Sequence, residues 1–195
     1  MNVMIIVCNA HEESFNHAIA ERVRRIFENV GNRIYYHDLY RERFSPALPQ
    51  NEIDARTTEG LDKYVEKTCA ELLDSDVIVV VHPNWWGMPP GLLKGWIDRI
   101  FRRGVAYRFD PFGRSIGLLN GKKAMVFNTS NTPEDTEMKL YGDPLENLWK
   151  NCVFGMCGIT DFKRRNFYGV IRSTEKERAE WLNEVQDMVM EEDEI

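Results

Sequence analysis

The run Asp76-Val77-Ile78-Val79-Val80-Val81 constrains this chain more than any other stretch. Its apolar, β-branched residues leave no polar face, so the segment reads as a strand covered on both sides, the situation of a central strand in a parallel sheet. A parallel sheet needs crossover helices, and the flanking sequence supplies them. Strand-like runs at Val3–Cys8, Arg33–His37, Lys123–Asn128 and about Asp161–Tyr168 alternate with helical periodicity over Ser14–Asn29, Leu61–Leu73, the segment after Pro90, Pro144–Met156 and Thr174–Met190. Five strands alternating with five helices predict an α/β fold, a parallel sheet wrapped on both faces through right-handed crossovers. Pro46 and Pro49 mark an irregular stretch, and the acidic Glu191–Glu194 tail is expected to fray.

At 195 residues the chain fits one domain, 1–195, able to bury a sizeable core. One segment breaks the alternation: at about 104–120, Val105–Phe109 and Ser115–Leu119 flank the turn-like Asp110-Pro111-Phe112-Gly113. An excursion beside the ligand edge of a sheet lines pockets or makes subunit contacts. With 31 acidic against 25 basic side chains, the chain lacks the footprint of a nucleic-acid binder. Cys8, Cys69, Cys152 and Cys157 have no zinc or iron-sulfur spacing and read as buried thiols in a reducing compartment, so no metal is expected. Without a basic-flanked leader or an apolar stretch near the ~20 residues of a membrane span, a cytoplasmic location with no membrane span is expected.

Three loops at strand C-terminal ends carry the chemistry. After Val81 comes His82-Pro83-Asn84-Trp85-Trp86-Gly87-Met88-Pro89-Pro90-Gly91, in which prolines stiffen the backbone and hold out two planar side chains suited to a flat aromatic ligand. Adjacent Trp residues outside a helix point to different sides, so the core absorbs one at most. After the first strand, His11-Glu12-Glu13-Ser14-Phe15-Asn16 leads into a helix whose free amides can cradle a phosphate, with His11 adding a donor, although Ser14 reads equally well as a plain N-cap. After the fourth strand, Asn128-Thr129-Ser130-Asn131-Thr132-Pro133 offers a small polar rim. These loops surround one crevice, where a doubly wound sheet places its cofactor.

The order His11…Ser14-Phe15-Asn16, then Pro83-x-Trp85-Trp86-Gly87-x-Pro89…Leu92-Leu93-Lys94-Gly95-Trp96-Ile97-Asp98-Arg99, then Ala106-Tyr107, then Gly142-Asp143, resembles the flavodoxin-like NAD(P)H:quinone oxidoreductase family. The resemblance spans the chain and implies a flavodoxin-like three-layer sandwich with strand order 2-1-3-4-5. It implies a flavin whose phosphate end meets His11, Ser14, Phe15 and Asn16, whose ring meets Pro83, Asn84, Trp85 and Trp86, and whose polar edge meets Asn128, Thr129, Ser130 and Asn131. FMN is favoured over FAD because no adenosine-binding segment is evident. NAD(P)H is the implied co-substrate and a quinone the acceptor, in a ping-pong cycle. A homodimer is also implied, with Tyr107 and Phe109 closing the partner's substrate pocket. Tyr141 stands where the family carries a His before Gly-Asp, which makes Tyr141 and Tyr107 the candidate catalytic side chains. A flavodoxin-type electron carrier and a non-catalytic flavin-binding regulatory subunit are the alternatives.

Overall fold

The structure, a computed structural model, describes residues 1–54 and 59–191. Five parallel strands, β1 (Asn2–Val7), β2 (Arg33–Asp38), β3 (Val77–Pro83), β6 (Lys123–Thr129) and β7 (Asp161–Phe167), lie in the order β2-β1-β3-β6-β7. With the two hairpin strands set aside, this is the expected 2-1-3-4-5 order. Every residue of β3 is buried, as its unbroken apolar run requires of the middle strand.

Alternate side chains of the sheet feed two apolar layers. Val3, Ile5, Val7, Val77, Val79 and Val81 pack with Ile19, Val23 and Phe27 of α1 (Phe15–Asn29) and Val185 and Val189 of α7 (Glu175–Met190). Met4, Ile6, Ile78, Val80 and Val126 face Leu72 of α3 (Lys63–Asp74) and Trp96 and Ile100 of α4 (Gly91–Ile100). α4 crosses closely under the Ser45–Pro46 backbone, because a Cβ at Gly95 would lie 2.3 Å from the Pro46 carbonyl oxygen.

The excursion is an antiparallel hairpin of β4 (Tyr107–Phe109) and β5 (Ser115–Gly117). Its turn is tied by Asp110 Oδ1, which accepts from the Phe112 and Arg114 amides at 2.8 and 2.9 Å. One local reading is corrected and two elements that drew no reading are added. The Pro46–Pro49 stretch is followed by a short helix, α2 (Gln50–Asp54), held down by Arg99 of α4. The loop after β6 coils through α5 (Glu134–Thr136) into a wide i→i+5 turn at Glu137–Tyr141. The helix read at 144–156 begins as α6 (Pro144–Asn147) and continues in wide i→i+5 turns over Leu148–Gly155. The tail, beyond Glu191, lies outside the described residues. Among the described residues no helix is long and apolar enough to cross a membrane.

Candidate functional site

Because β1, β3 and β6 are parallel neighbours, their following loops emerge at one edge of the sheet. The Asn84 amide donates to the Thr129 carbonyl at 2.7 Å, prolonging the β3–β6 ladder into the loops. The three loops enclose a cleft of about 310 Å³, whose walls include Ser14, Phe15 and Asn16, then Pro83, Asn84 and Trp85, then Thr129, Ser130 and Asn131.

At one end Ser14 is the N-cap of α1. Its Oγ accepts the His17 amide at 3.3 Å and meets His17 Nδ1 at 2.9 Å, while His17 Nε2 lies 3.1 Å from Asp38 Oδ2. The first-turn amides of Phe15 and Asn16 have no acceptor within the helix and carry its positive dipole end. Asn16 is 2% exposed. Its Oδ1 accepts from Asn9 Nδ2 at 2.8 Å and Thr129 Oγ1 at 3.1 Å, which fixes the amide so that Nδ2, buried, is left without a partner. A buried donor without a protein partner needs an acceptor, which a water or a ligand oxygen can supply. His11 stands outside this cleft, exposed, its Nδ1 accepting the Glu13 amide at 3.2 Å.

The Trp loop is a tight reversal. The amides and carbonyls of Trp85 and Met88 exchange hydrogen bonds of 3.0 and 3.1 Å, and the central Trp86 and Gly87 have φ of 60° and 71°. Positive φ at both central positions is the type I′ pattern, natural for Gly and strained by about 1 to 3 kcal/mol for a bulky residue. The strained indole of Trp86 is 96% exposed. Trp85 borders the three-loop cleft, whereas Trp86 stands between two others. One, of about 480 Å³, is shared with Thr132, Glu137, Tyr141 and Pro144, and one, of about 450 Å³, is walled by Met88, Pro89, Pro90, Leu148 and Val153. Trp85 also lines the second of these, so the two indoles share one cleft wall and only Trp85 reaches the three-loop cleft.

Beneath these loops lies a buried polar chain. His82, fully buried, meets the Pro83 carbonyl through Nδ1 at 2.8 Å, and its Nε2 accepts from Asn128 Nδ2 at 2.7 Å and Trp149 Nε1 at 3.0 Å. Burial, with Arg164 nearby, lowers its pKa to about 4, so the ring is neutral at pH 7, with the proton on Nδ1. Arg164 continues the chain, donating to Asn128 Oδ1 at 2.7 Å and bidentately to Asp143 at 2.7 and 2.9 Å. This corrects the reading of Asn128: its side chain is buried and both ends are engaged, so it supports the cleft from below rather than edging it.

Tyr141, 55% exposed, joins Trp86 and Glu137 in one cleft. Tyr107 lines a different cleft, with Leu48, Arg102 and Arg103, and within one chain shares no cleft wall with the Trp loop. Asn9, Glu137 and Val170 were not singled out by the sequence reading, yet all line the clefts, as does Thr132 of the polar rim. Asn9 had a signal, a polar residue ending an apolar strand. Glu137 had none, because only the wide turn buries it.

Residues 1–189 match the family model of the flavodoxin-like fold. Over 161 residues, 82% of this chain and 79% of the relative, the sequence is 32% identical to a Haemophilus influenzae protein described as an uncharacterized NAD(P)H oxidoreductase. The chain belongs to the flavodoxin-like NAD(P)H:quinone oxidoreductase family. A mouse relative, ribosyldihydronicotinamide dehydrogenase (quinone), is 25% identical over 215 residues, covering 97% of this chain and 93% of that protein. The crystal structure of Smu.1420 from Streptococcus mutans superposes with a TM-score of 0.84 at 27% identity, covering 97% of this chain and 98% of that one. A flavin, the cofactor of this oxidoreductase family, fits the donors present. The unpartnered Asn16 Nδ2 and the helix start suit anionic oxygens, the Trp85 indole suits a planar ring, and the Thr129–Asn131 segment suits a polar ring edge.

Proposed function

We propose that this protein is an FMN-dependent oxidoreductase that oxidises NAD(P)H and reduces a quinone or a similar acceptor. The observation that carries the reading is the cleft where three strand-end loops meet, with a buried donor lacking a partner at one end and an indole at the other. When bound, the flavin supplies reversible two-electron chemistry, and the balance is NAD(P)H, a proton and quinone giving NAD(P)⁺ and hydroquinone.

The chain's own residues bind, orient and shield. Ser14, Phe15 and Asn16 hold the phosphate end, with His11 at its margin. Asn84 and Pro83 fix the Trp85 wall, and the Thr129–Asn131 amides face the polar edge, where preorganised dipoles favour added negative charge. Tyr141 offers its hydroxyl as a hydrogen-bond donor to the acceptor oxygen in the cleft it shares with Trp86. A homodimer is part of this reading. Phe109 and Phe112 of the hairpin are 44% and 83% exposed, apolar surface that a second copy would cover, and Tyr107 would reach the partner's site. Four unpaired cysteines suit a reducing, cytoplasmic setting.

The test is the absorbance spectrum and mass of any flavin that co-purifies, followed by NAD(P)H oxidation with and without menadione. Bound FMN with menadione-dependent turnover is expected. A protein that neither carries nor takes up flavin overturns the reading, and full-rate turnover by a sedimenting monomer overturns the role given to Tyr107.

A further inference from the structure

Two guanidinium groups at the end of α4 compete for one carboxylate. Arg99, Arg102 and Glu52 are 5%, 6% and 3% exposed. Arg99 takes the carboxylate side-on, Nε to Oε2 at 2.9 Å and Nη2 to Oε1, and gives Nη1 to the Ser45 carbonyl at 2.8 Å. Arg102 reaches only the Glu52 backbone carbonyl, through Nη2 at 2.7 Å. Its Nη1 lies 3.7 Å from Glu52 Oε2, and among the described residues neither Nη1 nor Nε finds a hydrogen-bond acceptor.

The surroundings do not restore the balance. Asp98 borders the same cleft, but both its oxygens take Lys94 Nζ at 2.7 Å. Asp62, the exposed cap of α3, acts on Arg99 and is spent on its own helix amides. Arg103, exposed in the cleft, has no carboxylate partner among the described residues and rests 5.9 Å over the Phe109 ring. A cleft of about 200 Å³, lined by Glu52 and Asp98 as well as by Tyr107, therefore holds two under-compensated cationic side chains: the buried Arg102, whose ion pair with Glu52 is long at 3.7 Å and shared with Arg99, and the exposed Arg103. A buried charge without full pairing is costly, and an incoming anion lowers that cost.

We propose that this cleft is an anion site that takes a phosphoryl group, free phosphate or the monoester of a nucleotide. Among these side chains, Arg99, Arg102 and Arg103 stand against Glu52 alone and Lys94 stands against Asp98. That excess of two positive charges matches a phosphomonoester, about −1.5 to −2 at pH 7, better than a carboxylate monoanion. Guanidinium donors suit its oxygens. The site is separate from the three-loop cleft and shares none of its lining residues.

Calorimetric titration and thermal melting of the purified full-length protein, with inorganic phosphate, adenosine 2′,5′-bisphosphate and 5′-AMP against chloride at matched ionic strength, test the site. Phosphoryl compounds are expected to bind and raise the melting temperature where chloride does not. Arg103→Gln and Arg102→Met should each weaken that binding about tenfold or more, the loss of a charge-assisted hydrogen bond, while flavin content stays unchanged. Tighter binding of the bisphosphate than of 5′-AMP and phosphate identifies a nucleotide 2′-phosphate as the source, and equal binding identifies phosphate itself. If Arg102→Met does not fold, Arg103→Gln alone decides. Stabilisation no greater than that by chloride, or unchanged affinity in the Arg103 variant, overturns the proposal. Flavin absorbance, read on the same samples, reports separately on the function proposed above.

Discussion

Asn84 and Glu137, 53 positions apart, are joined by a hydrogen bond of 3.0 Å from Asn84 Nδ2 to Glu137 Oε1. The other end of the same amide accepts the Gly87 N–H at 2.9 Å. One side chain therefore fastens the turn that carries Trp86 to the wide turn that carries Tyr141. Glu137 is 1% exposed, so its partner is costly to lose.

Replacing Glu137 with Ala should leave the Asn84 amide unsatisfied, lower stability by about 1 to 3 kcal/mol and weaken flavin retention as the Trp turn loosens. Glu137→Gln, which keeps a carbonyl acceptor, should recover most of both. Thermal melting and flavin titration of the two variants check this. Equal behaviour of Ala and Gln would mean the bond does not position the turn.

Asn16 and Ser14 should separate binding from capping. Asn16→Leu removes the buried Nδ2 that lacks a partner, and if that donor serves the cofactor the flavin affinity should fall about tenfold or more. Ser14→Ala should cost about 1 kcal/mol of stability through the lost cap and the freed His17. Flavin fluorescence quenching on the apoprotein reads the first and melting reads the second. An Asn16 variant with unchanged flavin affinity would make that amide a structural bridge only.

The buried His82 makes a pH prediction. Its folded pKa, about 4, lies below the ordinary 6.5, so between these values the unfolded chain binds a proton that the folded one refuses. Stability is therefore full above about pH 6.5, declines as pH falls towards 4, and has lost this contribution below it, a few kcal/mol in all. His82→Gln should flatten the slope of melting temperature between pH 7 and 5. An unchanged slope would assign the acid sensitivity to carboxylates.

Tyr141 can be tested by timing the two half-reactions separately by rapid mixing. Tyr141→Phe should slow reduction of the quinone and leave oxidation of NAD(P)H nearly untouched, because only the acceptor develops oxyanion character. A well-placed donor is worth about 2.7 to 4 kcal/mol, and with Tyr141 55% exposed the loss should fall below that. Equal slowing of both halves would reduce Tyr141 to packing.

Reading residues in order was enough to recover the sheet and its two covered faces, because burial on both sides demands unbroken apolar runs such as Val77–Val81 and a crossover demands helical periodicity between them. It also marked the three loops, since strand ends in a parallel sheet share one edge whatever the side chains do. Asn128 and Glu137 show where this stops. Asn128 looked like rim and is a buried support, because its side chain lies between His82 and Arg164, 46 and 36 positions away. Glu137 drew no reading from the sequence and is buried by a wide turn that has no local sequence signature. The positive φ of Trp86 is equally invisible in a dipeptide, because a turn is selected by the strands and contacts that hold its ends. Periodicity is a property of neighbours along the chain, and it decides elements. Which polar atom is satisfied, and which is left for a ligand, depends on groups brought together across the chain, and only the folded packing decides that.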